Sequence, residues 1–257
     1  MRPHESNILN KIRTNYKGLN VKIDQFYKNK YLNLIEKIED IDFITEETIS
    51  VNIKNFTDLV NSYFRDLRAF SDLYKVKSQA KFESSFLEEI SFLMFKDLVD
   101  SFKDKDLNFF NKGIYAGFKM NNDATIDIIK KDVDFCIGKE VQLIIEGVKH
   151  SVIMPIIAVE VKTYLDATMF GEVQYSMNII NSAVPTAKTF VLMGFRNLAD
   201  EKIISAKIDS NISQMYSLRK DADSKIESEI LEEYYNDIKK SLTSSDTIIP
   251  KYGKLFV

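Results

Sequence analysis

From Val152 to Thr163 the chain is almost continuously apolar, yet it carries a carboxylate and an ammonium two residues apart, Glu160 and Lys162. A short run this rich in β-branched residues predicts a strand buried on both faces. On a strand, residues two apart leave the same face. Glu160 and Lys162 therefore stand side by side, while Val159 and Val161 point the other way into packing. Charged groups are costly there unless they are paired or bound to a metal.

A second segment, Asp132-Val-Asp-Phe-Cys-Ile-Gly, has the same logic. Alternation puts Val133, Phe135 and Ile137 on one face and Asp132, Asp134 and Cys136 on the other. If the two strands are neighbours, Asp134 and Glu160 come within a few ångströms. Carboxylates that close repel unless a cation lies between them. Oxygen ligands with positions left to water suit Mg²⁺. Asp134 is favoured over Asp132 because it sits deeper in the apolar strand.

The rest of the chain supplies a frame. Tyr31, Leu34, Ile35, Ile38 and Ile41 recur at helical spacing, as do Phe56, Leu59, Val60, Tyr63, Phe64 and Leu67, and Phe82 to Phe102 reads as a third long helix. Past Lys112 the character changes to short β-rich runs: Gly113–Met120, Ala124–Ile129, Val133–Ile137, Val141–Ile145 and Val152–Thr163. Asn121-Asn122-Asp123, Gly138 and Gly147 separate several of them as turns. Tyr164–Asn181 returns to helix, Thr189–Phe195 reads as a buried strand, and Asp200 to Leu242 as charged amphipathic helix. The order predicts an α/β fold, a mixed sheet flanked by helices. One domain spans 1–257, with a helical N-terminal region 1–78, a core 79–200 and a helical C-terminal region 201–257.

In the third helix, Phe82, Phe86, Leu87, Ile90, Leu93 and Met94 form an apolar stripe. Glu83 falls inside it, about 40° from Leu87 and about 20° from Ile90 at 3.6 residues per turn. Glu88 lies well off the stripe and Glu89 at its edge. A carboxylate so placed needs a partner, and Glu83 is the third candidate acid.

Composition narrows the chemistry. One cysteine, Cys136, and two histidines, His4 and His150, leave no zinc site of the usual donors. The N-terminus shows no signal peptide and no segment is long enough to span a membrane, so a cytoplasmic protein is expected. The net charge is −3, but residues 1–38 hold eight basic against three acidic side chains, which permits a polyanion partner.

Glu83, Asp134 and Glu160-Val161-Lys162, in that order, resemble the PD-(D/E)xK nuclease superfamily. Lys81-Phe-Glu-Ser-Ser-Phe-Leu-Glu-Glu, Asp132-Val-Asp-Phe and Val159-Glu-Val-Lys-Thr-Tyr-Leu-Asp-Ala-Thr-Met look like type II restriction endonucleases, in particular the DdeI-like group that cuts CTNAG-type sites. Val133 stands where the superfamily name has proline. The resemblance implies a restriction-endonuclease-like core and Mg²⁺-dependent hydrolysis of double-stranded DNA at a specific site, in the bacterial cytoplasm. Asp134 and Glu160 would hold Mg²⁺ with the Val161 carbonyl, and Lys162 would orient or deprotonate the attacking water. Glu83 would bind a second metal or hold metal-bound water. Thr163, Tyr164 and Gln174 are candidate DNA contacts. A homodimer is expected, or one subunit of a heterodimer, with the N-terminal third as contact surface and residues 1–38 clasping the phosphate backbone. The alternatives are a repair or junction-resolving nuclease of the same superfamily, and a non-catalytic DNA-binding module. Glu160-Val161-Lys162 is the one Glu-x-Lys triplet in the chain, and the intact set of charged residues favours an enzyme.

Overall fold

The helical stripes of the first hundred residues become five helices: α1 (Pro3–Arg13), α2 (Asn20–Phe26), α3 (Leu32–Glu39), α4 (Ile49–Leu73) and α5 (Phe82–Asp100). A computed structural model describes residues 2–76, 81–209 and 211–243. A π-helical turn, Tyr27–Tyr31, joins α2 to α3. The expected C-terminal region extends past the described residues, which end at 243.

Seven strands follow: β1 (Asn108–Phe110), β2 (Ile114–Met120), β3 (Ile126–Lys131), β4 (Phe135–Ile145), β5 (Val148–Leu165), β6 (Lys188–Arg196) and β7 (Gln214–Ser217). The remaining helices are α6 (Ala167–Ala183), α7 (Asp200–Asp209) and α8 (Ser228–Thr243). They form one mixed sheet. The long β5 lies at its centre, antiparallel to β4 along its length and parallel to β6, with β7 parallel beyond β6. β2 meets β5 at Ile114↔Ile153 and carries β3 antiparallel on its outer edge.

Helices cover both faces, as the alternation within β5 requires. Ile157, Val159 and Val161 pack with α4, α5 and α8 into one core. Ala158 faces the other way, into a core built with Phe170, Val173, Met177 and Ile180 of α6. Among the described residues no helix is long and apolar enough to cross a membrane.

Several sequence expectations change. Gly138 does not end a strand, since β4 runs straight through it. It pairs with Pro155 where the register shifts, and a Cβ on Gly138 would collide with the Met154 carbonyl. The glycine thus marks a bulge that lets a proline sit in a central strand. Gly147 does mark a turn: Glu146 and Gly147 have φ of 50° and 79°, the positive values a two-residue hairpin needs. The short strands β1 and β7 are new, and β7 interrupts the stretch expected to be helical.

Much of the apolar surface of the N-terminal third is used within the chain. Ile8, Ile23, Leu34, Ile35, Phe56 and Leu67 are all buried within the chain. Large apolar side chains stay exposed in the N-terminal third, at Leu9, Val21, Leu32, Ile44, Val51 and Leu73, and on the hairpin strands, at Phe118, Met120, Ile129, Ile144 and Val148. The basic surplus of residues 1–38 is also partly spent internally, on Arg2–Glu39, Lys28–Asp24 and Lys30–Asp66 ion pairs.

Glu89 ties α1 to α5. Fully buried, it accepts the His4 amide at 2.7 Å, the Glu5 amide at 3.1 Å and the Tyr31 hydroxyl at 2.6 Å. It thereby satisfies free amides in the first turn of α1. Burial pushes the Glu89 carboxyl up to about 7. His4, enclosed beside it, bonds Ser85 and Tyr63 through its two ring nitrogens, and burial drives its imidazole down to about 3. Glu89→Leu strands two amides and a phenol in the interior and should lower the unfolding free energy by about 3 kcal/mol. Urea denaturation measures this, and a loss below about 1 kcal/mol would mean that the hub is incidental.

Candidate active site

Three backbone features assemble the charged cluster. The β4–β5 register Phe135↔Val159 puts Asp134, one residue before β4, opposite Glu160. Asp134 lies at a bend, and its Oδ2 accepts the Val161 amide at 2.7 Å. Asp132 serves elsewhere: its carboxylate accepts the Gly113 amide at 2.9 Å and anchors the passage out of β3. Because the chain bends at Asp134, Val133 packs with Cys136 on the α6 side rather than with Phe135. The alternation expected from Asp132 onward begins only at Phe135.

Glu160 is buried, and Lys162 is the cation that meets it. The Lys162 Nζ donates to Glu160 Oε2 at 2.9 Å and lies 3.8 Å from Asp134 Oδ2. Burial raises the Glu160 carboxyl above its usual range; Lys162 opposes that rise and the Asp134 charge adds to it. Burial disfavours the Lys162 charge, but Glu160, Asp134 and Glu88 outweigh it, so the ammonium is held more firmly than in water. Val161, between the two charged residues, packs into the opposite core. Asp134, Glu160 and Lys162 are thus brought together as the sequence pattern anticipates.

The α5 carboxylate that feels the charges of this cluster is Glu88. Burial pushes Glu88 up to about 7 and the Asp134 charge adds to this, while Lys81 and Lys162 pull the other way. The helix geometry explains the placement. Phe92, one turn after Glu88 on the same face, packs edge-on to Phe135 at 4.9 Å between ring centroids. Glu88 therefore lies on the face of α5 turned toward this end of β4. Glu83 instead pairs with Arg68 at 3.5 Å, on the wall of a cleft of about 530 Å³.

The sequence pattern set Glu88 aside, because a single apolar stripe on α5 leaves it on the far side. In the fold α5 is covered on most sides: Ser85, Glu89, Ser91, Phe92, Phe95, Leu98 and Val99 are buried along with most of the stripe. The signal lay in Phe92 and Phe95, large aromatics off the chosen stripe, which announce a helix buried all round.

Thr163 and Tyr164 line the cleft that Glu83 borders. There Tyr164 stacks on Phe195, with centroids 5.9 Å apart. Arg219 is buried at its floor, bonded to the Gly194 carbonyl at 3.4 Å and the Ala222 carbonyl at 3.2 Å, and lies over the rings of Phe64 and Phe195. Gly194 has no room for a Cβ, which would strike the Thr163 carbonyl and Arg219. No feature of the sequence pointed to Arg219. On the α6 side a depression of about 340 Å³ is lined by Lys131, Glu160, Lys162, Glu172, Tyr175 and Ser176, among others. Gln174 is not among its lining residues; its neighbours on either side of the helix turn are. The helix that lines the depression, α6, is started by the Asp166 carboxylate, which caps the Thr168 and Met169 amides at 3.0 and 2.9 Å.

The arrangement offers two adjacent carboxylates and a fixed ammonium, of which Glu160 and Lys162 open onto the depression. Comparison with known proteins bears on what such a site belongs to. The fold is similar to that of a solved structure titled as the native BbvCI A2B2 tetramer, with a TM-score of 0.75 at 14% identity. The match covers 95% of this chain and 98% of that one. No curated protein matches the sequence. The family model of the Bpu10I restriction endonuclease matches residues 79–245, well over half of the chain, and it names that family rather than a DdeI-like group. The chain belongs to the Bpu10I restriction endonuclease family, a family of DNA-cleaving hydrolases.

Proposed function

We propose that the chain is a type II restriction endonuclease whose Mg²⁺-dependent cleavage of double-stranded DNA is carried out by Asp134, Glu160 and Lys162. The observation that carries this reading is the contact of Lys162 with both Glu160 and Asp134 across the β4–β5 pair. Family membership favours it over the repair-nuclease and non-catalytic alternatives.

The donor set fits a hydrated magnesium ion. Two carboxylates and the Val161 carbonyl suit a cation that takes one or two protein carboxylates and keeps several waters. Among the described residues no group of three or more Asp, Glu, His and Cys side chains gathers as a cage, which would suit a different metal chemistry. When bound, the metal supplies positive charge to the non-bridging oxygens and makes water a better nucleophile.

The chain's own residues do the rest. Asp134 is oriented by the Val161 amide, so its free oxygen is presented at a fixed place. Lys162 keeps its proton because carboxylates surround it. It stabilises the charge that grows on the phosphate as water adds and a P–O ester bond breaks. Glu88 takes the part expected of Glu83, that of the helix carboxylate which positions water at the site. Thr163 and Tyr164 continue the strand past Lys162 and contact the DNA backbone.

One such site cuts one strand, so cutting both strands of a duplex calls for two. The similar BbvCI chain comes from an assembly its title calls an A2B2 tetramer. For this chain we propose a two-fold pair on DNA, formed as a homodimer or with a related subunit.

EDTA should abolish cleavage of a mixed-sequence plasmid, Mg²⁺ or Mn²⁺ should restore it, and Ca²⁺ should support binding alone. Full-rate cutting in EDTA would overturn the metal reading. Asp134→Asn, Glu160→Gln and Lys162→Ala should each lower the single-turnover rate by about 10²-fold or more with little change in thermal melting. Glu88→Gln should impair cutting, whereas Glu83→Gln should cut nearly as the wild type; the reverse would return the role to Glu83. Light scattering of the DNA complex should give two chains, with linear plasmid as product. A monomeric complex that yields only nicked circles would contradict the paired assembly.

A further inference from the structure

The groove over the active site contains a cation that the chemistry above does not use. Lys131 is the last residue of β3, held in register by its pairing with Ile114 of β2. Its half-buried side chain lines the same depression as Glu160 and Lys162. Lys162 is claimed there by Glu160 at 2.9 Å. Among the described residues Lys131 has no ion pair and no side-chain hydrogen bond, although Glu160 and Glu172 line the same depression.

Its neighbours on the sheet are occupied. The Lys130 ammonium donates to the Ser151 carbonyl at 3.4 Å, and Lys139 pairs with Asp106 at 2.9 Å. Successive strand residues face opposite ways, so Lys130 and Lys131 are divided between the two sides of β3. Asp132 then fixes the exit from the strand through the Gly113 amide. Lys131 is thus held by backbone, three residues before Asp134.

We propose that Lys131 binds a backbone phosphate of the cleaved strand beside the scissile one. This rests on the nuclease reading. Three extended residues span at most about 10 Å, and B-DNA rises about 3.4 Å per nucleotide. Lys131 and the cutting site are therefore within about three nucleotides of each other on one strand. An ammonium is a compact point charge with rotatable donors, suited to a phosphate oxygen. Bidentate recognition of a base edge is more often the work of a planar fork such as arginine or asparagine. Half-buried and without an internal anion, Lys131 gives up no ion pair when DNA arrives.

The test is fluorescence-anisotropy titration of a mixed-sequence 30-base-pair duplex (about 3 helical turns) without divalent metal, at several salt concentrations. Wild type, Lys131→Gln and Lys130→Gln are compared, each checked for an unchanged melting temperature. Lys131→Gln should weaken binding about tenfold and reduce the salt slope by about 0.9, the share of one phosphate contact. Lys130→Gln should change neither. Equal effects of the two substitutions, or an unchanged slope for Lys131→Gln, would overturn the proposal. So would an altered cut sequence with unchanged slope, since that would make Lys131 a base reader. Metal-free binding is scored separately from cutting, so an inactive wild type would refute the nuclease reading without deciding this one.

Discussion

The antiparallel pairing of β4 with β5 governs the rest of the structure. It forms where two runs of apolar residues zip together, and its register is fixed on both sides by burial. Ile137 and Phe135 pack with Ile157 and Val159 in one core, and Cys136 packs with Ala158 in the other. A slip of one residue would turn every side chain of one strand to the wrong face. The same register carries Asp134 to Glu160 at the end of the pairing, where ordinary packing would place two apolar residues. The acids persist there because Lys162 stands between them and because the Val161 amide takes one Asp134 oxygen. Hydrophobic pairing thus supplies the energy that holds like charges together.

Helix α5 brings the second layer of control. Its three neighbouring acids have three different fates because it is covered on most sides. Glu83, near the N-terminal end, faces the cleft and Arg68. Glu88 feels the charges of Asp134, Lys162 and Glu160. Glu89 points toward the N-terminal helices and caps α1. A single helix therefore couples the N-terminal elaboration to the catalytic strands. The buried Glu89 hub holds α5 against α1.

Much of this was legible in the sequence where local periodicity decides the outcome. The strand bearing Glu160 and Lys162, the Asp134 segment, the helix from Phe82 and the strand near Thr189 all follow from patterns of two or 3.6. What was not legible depends on contacts distant in sequence. The fate of each α5 acid depends on what covers each face of that helix, which no stripe on α5 reveals. Gly138 looks like a turn until Pro155 is known to lie opposite. Arg219 becomes notable only once Phe64, Gly194 and Phe195 enclose it. The apolar stripes of the N-terminal helices find their partners in α5, α8 and one face of the sheet, elements distant along the chain, while Val21, Val51 and Leu73 stay exposed.

The central claim is that Asp134, Glu160 and the Val161 carbonyl form the seat of the catalytic cation, with Lys162 beside it. Anomalous diffraction from crystals soaked in Mn²⁺ measures this most directly. The account predicts a peak bonded to Asp134 and Glu160 at the β4–β5 pair, lost in Asp134→Asn. A peak instead at Glu83, Asp72 or Asp223, the acids that line the cleft around Arg68 and Arg219, with none at Asp134 and Glu160, would contradict it.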